Sequence, residues 1–252
     1  MTTFDYSQVY PIFLVFTRAS GMMLLMPVFS GQMIPRQLRV ALAFLLAVTL
    51  APVALPGFAP PDNWVGGALQ IMHELAVGAI MGLVSRLIFY ALEMAGELIS
   101  VEIGLSLSAN IDPFTSNRAS PANTMLVSLA TILFLATNSH LWCLMAFSRS
   151  FEIIPPDGGL SGNTAEVLIS ATGRIFLVAL QIAAPIMAIS FLVNLCFATL
   201  GRAAPSLNVF VLSFPVQILA GMFLFGLTLT LTARQIINVM QQIPELMLKA
   251  VN

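Results

Sequence analysis

Two groups of residues in this sequence begin like enzyme motifs, and neither is completed. His73-Glu74 opens the pattern HExxH, in which two histidines one helical turn apart bind zinc, but Val77 occupies the second position. Gly104-Leu105-Ser106 and the distant His140 could supply a serine nucleophile and its base. A GxS triplet matches by chance too often to indicate the sharp turn that such a nucleophile needs. The sequence therefore predicts a protein that is not an enzyme, with no cofactor and no metal.

The most polar stretch lies in the middle of the chain, from Gly104 to Pro121. It is rich in small and hydroxyl side chains. Asp112-Pro113 and Ser120-Pro121 interrupt helices, because proline cannot continue one and pushes the preceding residue out of the α region. Roughly 16 residues exceed the ~12–15 at which an unstructured connection is usually functional or disordered. Composition leaves two interpretations open: a solvated loop between membrane segments, or a functional segment that the flanking helices hold.

The composition indicates what those helices are. Of 252 residues, 58% are hydrophobic and 8% are charged, whereas a soluble domain has about 45–50% apolar and about 25% charged residues. These few charged residues cannot cover the surface of a soluble protein of this length. The sequence therefore predicts an integral membrane protein. The net charge is −1 and the single lysine is Lys249, which indicates no nucleic-acid partner. The first ten residues lack the basic start of a signal peptide, so the first segment is expected to remain in the mature protein.

About six hydrophobic segments have the length of membrane helices, so the predicted fold is an all-α integral membrane protein. Pro185 and Pro215 lie within the last two segments and predict kinked arms of a helical hairpin around the turn at Gly201 to Asn208. The tail from Thr232 to Asn252 is predicted to be an amphipathic helix. The six runs are Pro11 to Phe29, Val40 to Leu55, Trp64 to Leu105, Met125 to Phe147, Arg174 to Leu200 and Val209 to Leu231.

Charges inside these segments indicate faces that lipid does not cover. Arg18 lies in the middle of the first run, where a lipid-facing arginine costs about 2.5–3.5 kcal/mol or more. Arg86, Glu93 and Glu97 fall within about 40° of one another on a helix and form one stripe. Together with Glu74, these five charges would cost on the order of 15 kcal/mol in lipid. We therefore expect Arg18 to face protein or a wet cavity, and the stripe to lie outside the hydrocarbon or against partner subunits.

Small residues and cysteines complete the expectations for packing. Gly78 and Gly82 have the GxxxG spacing that lets another helix approach closely. Cys143 and Cys196 each lie in an apolar run, so both are expected to be buried structural thiols.

Several short motifs occur in an order that resembles a known family. The most specific is Arg202-Ala-Ala-Pro205-Ser-Leu-Asn208-Val-Phe210 followed by Phe214-Pro215. Through this motif and the others given below, the chain resembles the FliR family over about residues 10–241. FliR-family proteins are flagellar biosynthesis and type III secretion export-gate subunits. The other motifs are Arg18-Ala-Ser-Gly21 with Pro27, Ile34-Pro35 with Arg39, Gly104-Leu-Ser106 leading to Asp112-Pro113, Asn138-Ser-His140, Ser150-Phe151 with Pro155, Ala184-Pro185, and Asn194.

The resemblance implies a non-enzymatic subunit of a protein-export channel in the bacterial inner membrane, at the flagellar basal body. Such subunits assemble with FliP and FliQ, work with FlhB-like and FlhA-like export components, and let unfolded flagellar proteins pass. Within one membrane domain, about residues 1–173 would be a FliP-like portion and about 174–252 a FliQ-like hairpin and tail. Sister subunits cover much of the apolar chain in this family. The resemblance thus implies inter-subunit or buried charges at Arg18, Arg86, Glu93, Glu97 and Arg202.

The resemblance also implies a role for the central stretch. In the family, the loop at this place projects toward the pore axis and closes the pore as a plug, and Ser106 to Pro121 is the matching stretch. This sequence departs from the family where glycines are expected after Asp112-Pro113. Phe114 would either strengthen the seal or indicate a plug that seats differently. The implied plug residues are Ser106, Ser108, Asn110, Ile111, Asp112, Pro113, Phe114, Thr115, Ser116 and Asn117.

Two other classes of function are alternatives to the export gate. A secondary transporter would use broken helices and buried charges as a substrate site, but such proteins usually carry inverted repeats. The sequence shows no repeat beyond similar proline positions in the last two runs. A membrane hydrolase lacks a catalytic constellation. Between flagellar and virulence-type secretion, Asn138-Ser-His140 and the whole motif set favour the flagellar system.

Overall fold

The computed structural model describes residues 6–30, 34–61, 63–105, 120–159, 163–204 and 208–252. Within these ranges the chain forms nine α-helices and no strand. The predicted all-α fold is therefore confirmed. The helices are α1 (Tyr6–Leu25), α2 (Pro27–Ser30), α3 (Arg36–Ala54), α4 (Trp64–Ile103), α5 (Pro121–Ala136), α6 (Ser139–Ile153), α7 (Thr164–Ala203), α8 (Val209–Met240) and α9 (Ile243–Val251).

Four stretches of the described chain are long and apolar enough to cross a membrane: α3, α4, α7 and the stretch Val211–Val251. The pair α5 and α6 passes the same test together as a broken span, and Val9–Leu25 within α1 is a shorter apolar helix. These six stretches correspond in order to the six predicted runs, although the first run, Pro11 to Phe29, divides at Met26 between α1 and α2. Pro185 and Pro215 lie inside α7 and α8, as the sequence indicated.

The helices form two compact units. The first unit comprises Met1–Ile88, Asn138–Thr172 and Met240–Asn252, and the second comprises Phe89–Thr137 and Gly173–Val239. Each unit thus combines segments that are distant in sequence. The long helices α4 and α7 contribute residues to both.

In the first unit, glycines allow α1 to lie directly on α4. A Cβ added at Gly78 would overlap the carbonyl oxygen of Arg18. A Cβ at Gly82 would lie 2.5 Å from the carbonyl oxygen of Met22, and one at Gly21 would lie 2.7 Å from that of Leu75. The close approach predicted from Gly78 and Gly82 is confirmed, and the approaching helix is α1.

Small side chains serve the same purpose on the other side of α1. Helix α3 packs on α1 and buries Ala43, Ala47 and Ala51, one every four residues. Phe16 and Phe44 meet edge to face there, with ring centroids 6.3 Å apart. The alanine stripe lets α3 lie close to α1, as small residues do between membrane helices.

The C-terminal helix α9 covers α6. It buries Ile243, Met247, Ala250 and Val251, a spacing that places them on one face, and exposes Glu245 and Lys249 on the other. The tail is therefore amphipathic, as predicted, but it is not one helix. Residues 232–240 continue α8, and a new helix begins at Ile243.

Two further expectations are wrong in detail. The fourth run is two helices, because α5 ends at Ala136 and Asn138 adopts a left-handed conformation with φ 56° before α6 begins. Asparagine tolerates that conformation better than most residues, and the break falls in the polar run Thr137-Asn138-Ser139-His140. Cys143 is buried as expected, but Cys196 is exposed. It lies on a face of α7 that also exposes Phe191, Leu192 and Leu195.

Candidate functional site

A fully buried ion pair joins α1 to α4 in the first unit. Arg18 Nε donates to Glu74 Oε2 at 2.6 Å, and Arg18 Nη2 donates to Glu74 Oε1 at 2.7 Å. Both side chains are 0% exposed. Two parallel charge-assisted hydrogen bonds are the strongest geometry available to a guanidinium and a carboxylate. The pair buries one positive and one negative charge, so the interior carries no net charge from it.

The remaining donors of Arg18 reach the end of α6. Nη1 donates to Ser150 Oγ at 2.9 Å, and Nη2 donates to the backbone carbonyl of Ile154 at 2.9 Å. The Phe151 ring lies against the guanidinium, with its centroid 3.8 Å from Cζ. Carbonyls at a helix C-terminus lack intrahelical partners, and a buried cation satisfies one of them here. One arginine thus fixes α1, α4 and α6 together.

A second polar tier lies one turn away on α4. Tyr10 Oη donates to Gln70 Oε1 at 2.6 Å, and Gln70 Nε2 donates to Asp157 Oδ1 in the turn after α6. Gln70 and Glu74 are four residues apart and therefore share one face of α4. The two tiers connect the same three parts of the first unit. The first tier is fully buried and the second reaches the exposed Asp157, so together they form a polar seam from the interior to the surface.

The sequence indicated that Arg18 faces protein or a wet cavity, but it did not identify the partners of Arg18. Glu74 was recognised only as a costly charge, and Ser150 and Phe151 only as part of a family motif. A signal was present, because two opposite charges in separate apolar segments can lower each other's burial cost by pairing. Glu74 also has both carboxylate oxygens bound by Arg18, so it is not available as the general base that HExxH would require.

The other charges singled out in the sequence lie in different surroundings. Arg86, in the first unit, is half-buried and its Nη1 donates to Ser30 Oγ at 3.1 Å. In the second unit, Glu93 is half-buried, while Glu97 and Arg202 are exposed. The structure therefore brings Arg18 together with Glu74, whereas the predicted stripe on α4 has differing exposure along its length.

Every implied plug residue, from Ser106 to Asn117, lies outside the described residues, but both ends of the central stretch are described. The C-terminal end of α4 leads into it through Gly104, whose φ of +82° favours glycine. At the other end, Ser120 Oγ accepts a hydrogen bond from the Asn123 backbone N–H at 3.4 Å and caps α5, and Pro121 follows at the start of that helix. Both ends belong to the second unit.

Both ends of the central stretch are held by close contacts with other helices of the second unit. A Cβ added at Gly96 of α4 would overlap the Cα of Asn123, so α4 and α5 are in backbone contact just inside the loop. On α8, Gln217 Nε2 donates to the backbone carbonyl of Glu102 at 2.8 Å. These contacts involve backbone at the first and last turns beside the central stretch.

Comparison with known proteins identifies the family. The model for bacterial export proteins, family 1, matches residues 9–243. The chain belongs to this family. The flagellar biosynthetic protein FliR of Caulobacter vibrioides is 31% identical over 225 residues, covering 88% of this chain and 90% of the relative. FliR of Pectobacterium carotovorum is 31% identical over 217 residues, covering 86% and 83%. FliR of Escherichia coli is 29% identical over 208 residues, covering 82% and 79%.

The FliR resemblance inferred from short motifs is therefore confirmed over nearly the whole chain. Several of those motifs now have structural roles in this FliR-family protein. Arg18 and Ser150-Phe151, which are 132 residues apart in sequence, meet in the buried ion-pair cluster. Asn138 forms the left-handed break before α6.

Proposed function

We propose that this chain is a non-enzymatic subunit of the flagellar type III protein-export gate, in the bacterial inner membrane at the flagellar basal body. It assembles with FliP-like and FliQ-like subunits, with FlhB-like and FlhA-like components beside them, and unfolded flagellar proteins pass through the channel. The family match over residues 9–243 carries this proposal. Residues 1–173 correspond to a FliP-like portion and residues 174–252 to a FliQ-like hairpin and tail.

The surface of the single chain supports an assembled state. On α8, Leu219, Phe223 and Leu227 are 70%, 69% and 62% exposed and follow one another every four residues. Lipid or a partner helix could cover this apolar row. The exposed Glu97 favours a partner for α4, because a carboxylate facing hydrocarbon is costly. Sister subunits that cover Glu93 and Glu97 remove that cost, and the exposed Arg202 offers a cation at the end of α7.

Photocrosslinking tests the assembly. A photoreactive residue at position 97 is expected to capture a FliP-like or FliQ-like subunit in cells that express the whole gate, and the tagged chain should purify with both. The matched control is position 99, since Ile99 is fully buried in the chain's own second unit and should give no inter-subunit product. A chain that purifies alone as a stable monomer, with lipid as the only product at position 97, would contradict the proposal.

The central stretch is the pore plug in this proposal. It includes small and hydroxyl side chains that suit a segment which seats in a narrow pore and later moves aside. The plug residues are Ser106, Ser108 and Asn110 to Asn117. The described ends support this assignment, because Gly104 and Ser120 are both held by packing or capping in the second unit. Phe114 is the largest apolar residue of the segment and is suited to strengthening the seal.

Deleting Asn110 to Ala119 is expected to leave the gate assembled but to make the membrane permeable to small solutes. The deletion removes the plug while α4 and α5 keep their packing through Gly96 and Asn123. Solute uptake would be measured in cells, with assembly checked by co-purification. Lys249→Ala, on the exposed face of α9, is the control and should stay impermeable. Unchanged permeability in an assembled deletion variant would remove the plug role.

A further inference from the structure

The last turn of α4 ends in a glycine-containing C-terminal motif. The Leu105 N–H donates to the Ser100 carbonyl at 2.9 Å, and the Gly104 N–H donates to the Val101 carbonyl at 3.1 Å. These are the two hydrogen bonds of a Schellman ending, with Gly104 in the left-handed position. Neither of these two bonds supplies a donor to the Glu102 carbonyl. Terminal helix carbonyls need such a partner from outside the helix.

Helix α8 supplies that partner from a side chain. Gln217 Nε2 donates to the Glu102 carbonyl at 2.8 Å. Both residues are half-buried, so the amide reaches the carbonyl within the packed second unit. The two residues are 115 positions apart in sequence. This bond therefore fixes one rotational setting of the end of α4 against α8.

A glycine on the same face of α8 receives the next side chain of α4. A Cβ added at Gly221 would lie 2.5 Å and 2.8 Å from Ile103 Cγ1 and Cγ2. Ile103 is 1% exposed, so its side chain fills the notch that the missing Cβ leaves. Glycine inside a helix costs about 1 kcal/mol relative to alanine. The close approach of Ile103 is a physical reason for glycine here.

A third contact completes the face. A Cβ added at Gly104 would lie 3.6 Å from the Phe214 ring, which is ordinary van der Waals distance. Phe214, Gln217 and Gly221 are spaced by three and four residues, so they share one side of α8. They meet Gly104, Glu102 and Ile103 in turn. The three contacts differ in kind: an aromatic ring, a hydrogen bond and a steric notch.

We infer that Phe214, Gln217 and Gly221 form a positioning surface that sets the direction in which the chain leaves α4. None of the three needs to touch a passing substrate, because each acts through the end of α4. Gln217 fixes the rotation of the last turn, and Gly221 fixes its distance from α8. Their effect on the gate rests on the proposed function, in which the stretch that follows Leu105 closes the pore.

The test uses the whole gate and compares two glycines of α8. Gly221→Ala is expected to raise uptake of small solutes several-fold while the chain still purifies with its partner subunits. Gly226→Ala is the matched control, because a Cβ there meets nothing within 4 Å, and it should leave uptake unchanged. Gln217→Leu, which has a similar size but no donor, should also raise uptake.

Compensation separates positioning from general loss of packing. Ile103→Ala combined with Gly221→Ala removes the overlapping methyl groups and should return uptake toward the parent value. The inference fails if Gly221→Ala and Gln217→Leu assemble and stay as impermeable as the parent, or if the second substitution gives no rescue. Should Gly221→Ala not assemble, Gln217→Leu decides alone. Deletion of Asn110 to Ala119 distinguishes the plug role from the positioning inference. If the deletion variant leaks while Gly221→Ala and Gln217→Leu do not, only the positioning inference is wrong.

Discussion

Replacing Arg18 with methionine is expected to destabilise the protein by about 3–5 kcal/mol, the cost of removing one partner from a buried ion pair. Glu74 would stay 0% exposed and lose both of its short hydrogen bonds to Arg18. Ser150 Oγ and the Ile154 carbonyl would each lose a donor as well. The size of the expected effect follows from the desolvated carboxylate that remains, rather than from the net strength of the pair.

The comparison that tests this reason is the double substitution Arg18→Met with Glu74→Leu. Removing both charges leaves apolar groups of similar volume, so much of the lost stability should return. Arg36→Met is a matched control, because Arg36 is exposed at the start of α3 and its loss should change stability by less than about 0.5 kcal/mol. Thermal unfolding in detergent and resistance to protease would be measured for all variants.

A different pattern of results would contradict the interpretation. If the double variant were as unstable as Arg18→Met alone, the uncompensated charge on Glu74 would not be the cause. The cost would then lie in lost packing, because the aliphatic stem of Arg18 and its contact with Phe151 also disappear. Arg18→Lys tests the geometry separately, since lysine keeps the charge but cannot make the forked pair with Glu74.

The ion pair also illustrates how far sequence reasoning reaches in this protein. A lone arginine in a hydrophobic run predicted a side chain that faces protein or a wet cavity, and the structure places Arg18 in the interior of the first unit. The sequence could not identify Glu74 as its partner. Fifty-six residues separate them, and several other charges in apolar helices were equally available. Pairing between distant helices depends on rotation and depth, which composition does not encode.

Helix bounds show the same division. The long helix α4 was predicted from Trp64 to Leu105, and it runs from Trp64 to Ile103. The prediction is close because a proline-rich turn marks the start of the helix and a glycine marks its end. The break between α5 and α6 was missed, because no proline or glycine marks it, although the polar run Thr137-Asn138-Ser139-His140 was a signal for it. Asn138 adopts the αL conformation at this break, which asparagine tolerates better than most residues.

The close packing on α8 could not have been predicted from periodicity. Gly221 and Gly226 are both single glycines in an apolar helix, and the sequence gives them equal weight. Only the position of Ile103 distinguishes them, since a Cβ at Gly221 would collide with it and one at Gly226 would meet nothing within 4 Å. The functional meaning of a glycine in a membrane helix therefore depends on its neighbour in space.

Replacing Gly78 with alanine is expected to be the most damaging small substitution in α4. The new Cβ would overlap the carbonyl oxygen of Arg18, and its next neighbours are also backbone atoms of Arg18. Backbone cannot rotate away as a flexible side chain can, so α1 and α4 must separate. Overpacking of this kind costs about 1–3 kcal/mol, occasionally more. The loss should fall at the upper end, because the displaced residue is the one that holds Glu74.

Because Gly78 contacts the backbone of Arg18, the glycine contact and the ion pair between Arg18 and Glu74 can be tested for coupling. If separation of α1 from α4 acts partly by stretching the ion pair, Gly78→Ala and Arg18→Met should be less than additive in a double-mutant cycle. Gly173→Ala is the matched control, because a Cβ there meets nothing within 4 Å and alanine favours the helical conformation of α7. That variant should unfold at the parent temperature or slightly above it.

Thermal unfolding of the four variants in the cycle, measured in one detergent, decides the question. Full additivity would mean that the glycine contact and the ion pair stabilise the first unit independently, although both involve Arg18. A Gly78→Ala variant as stable as the parent would mean that α1 can move away from α4 at little cost. The polar seam would then hold the two helices together without backbone contact, and the two tiers at Gln70 and Glu74 would have to tolerate the added separation.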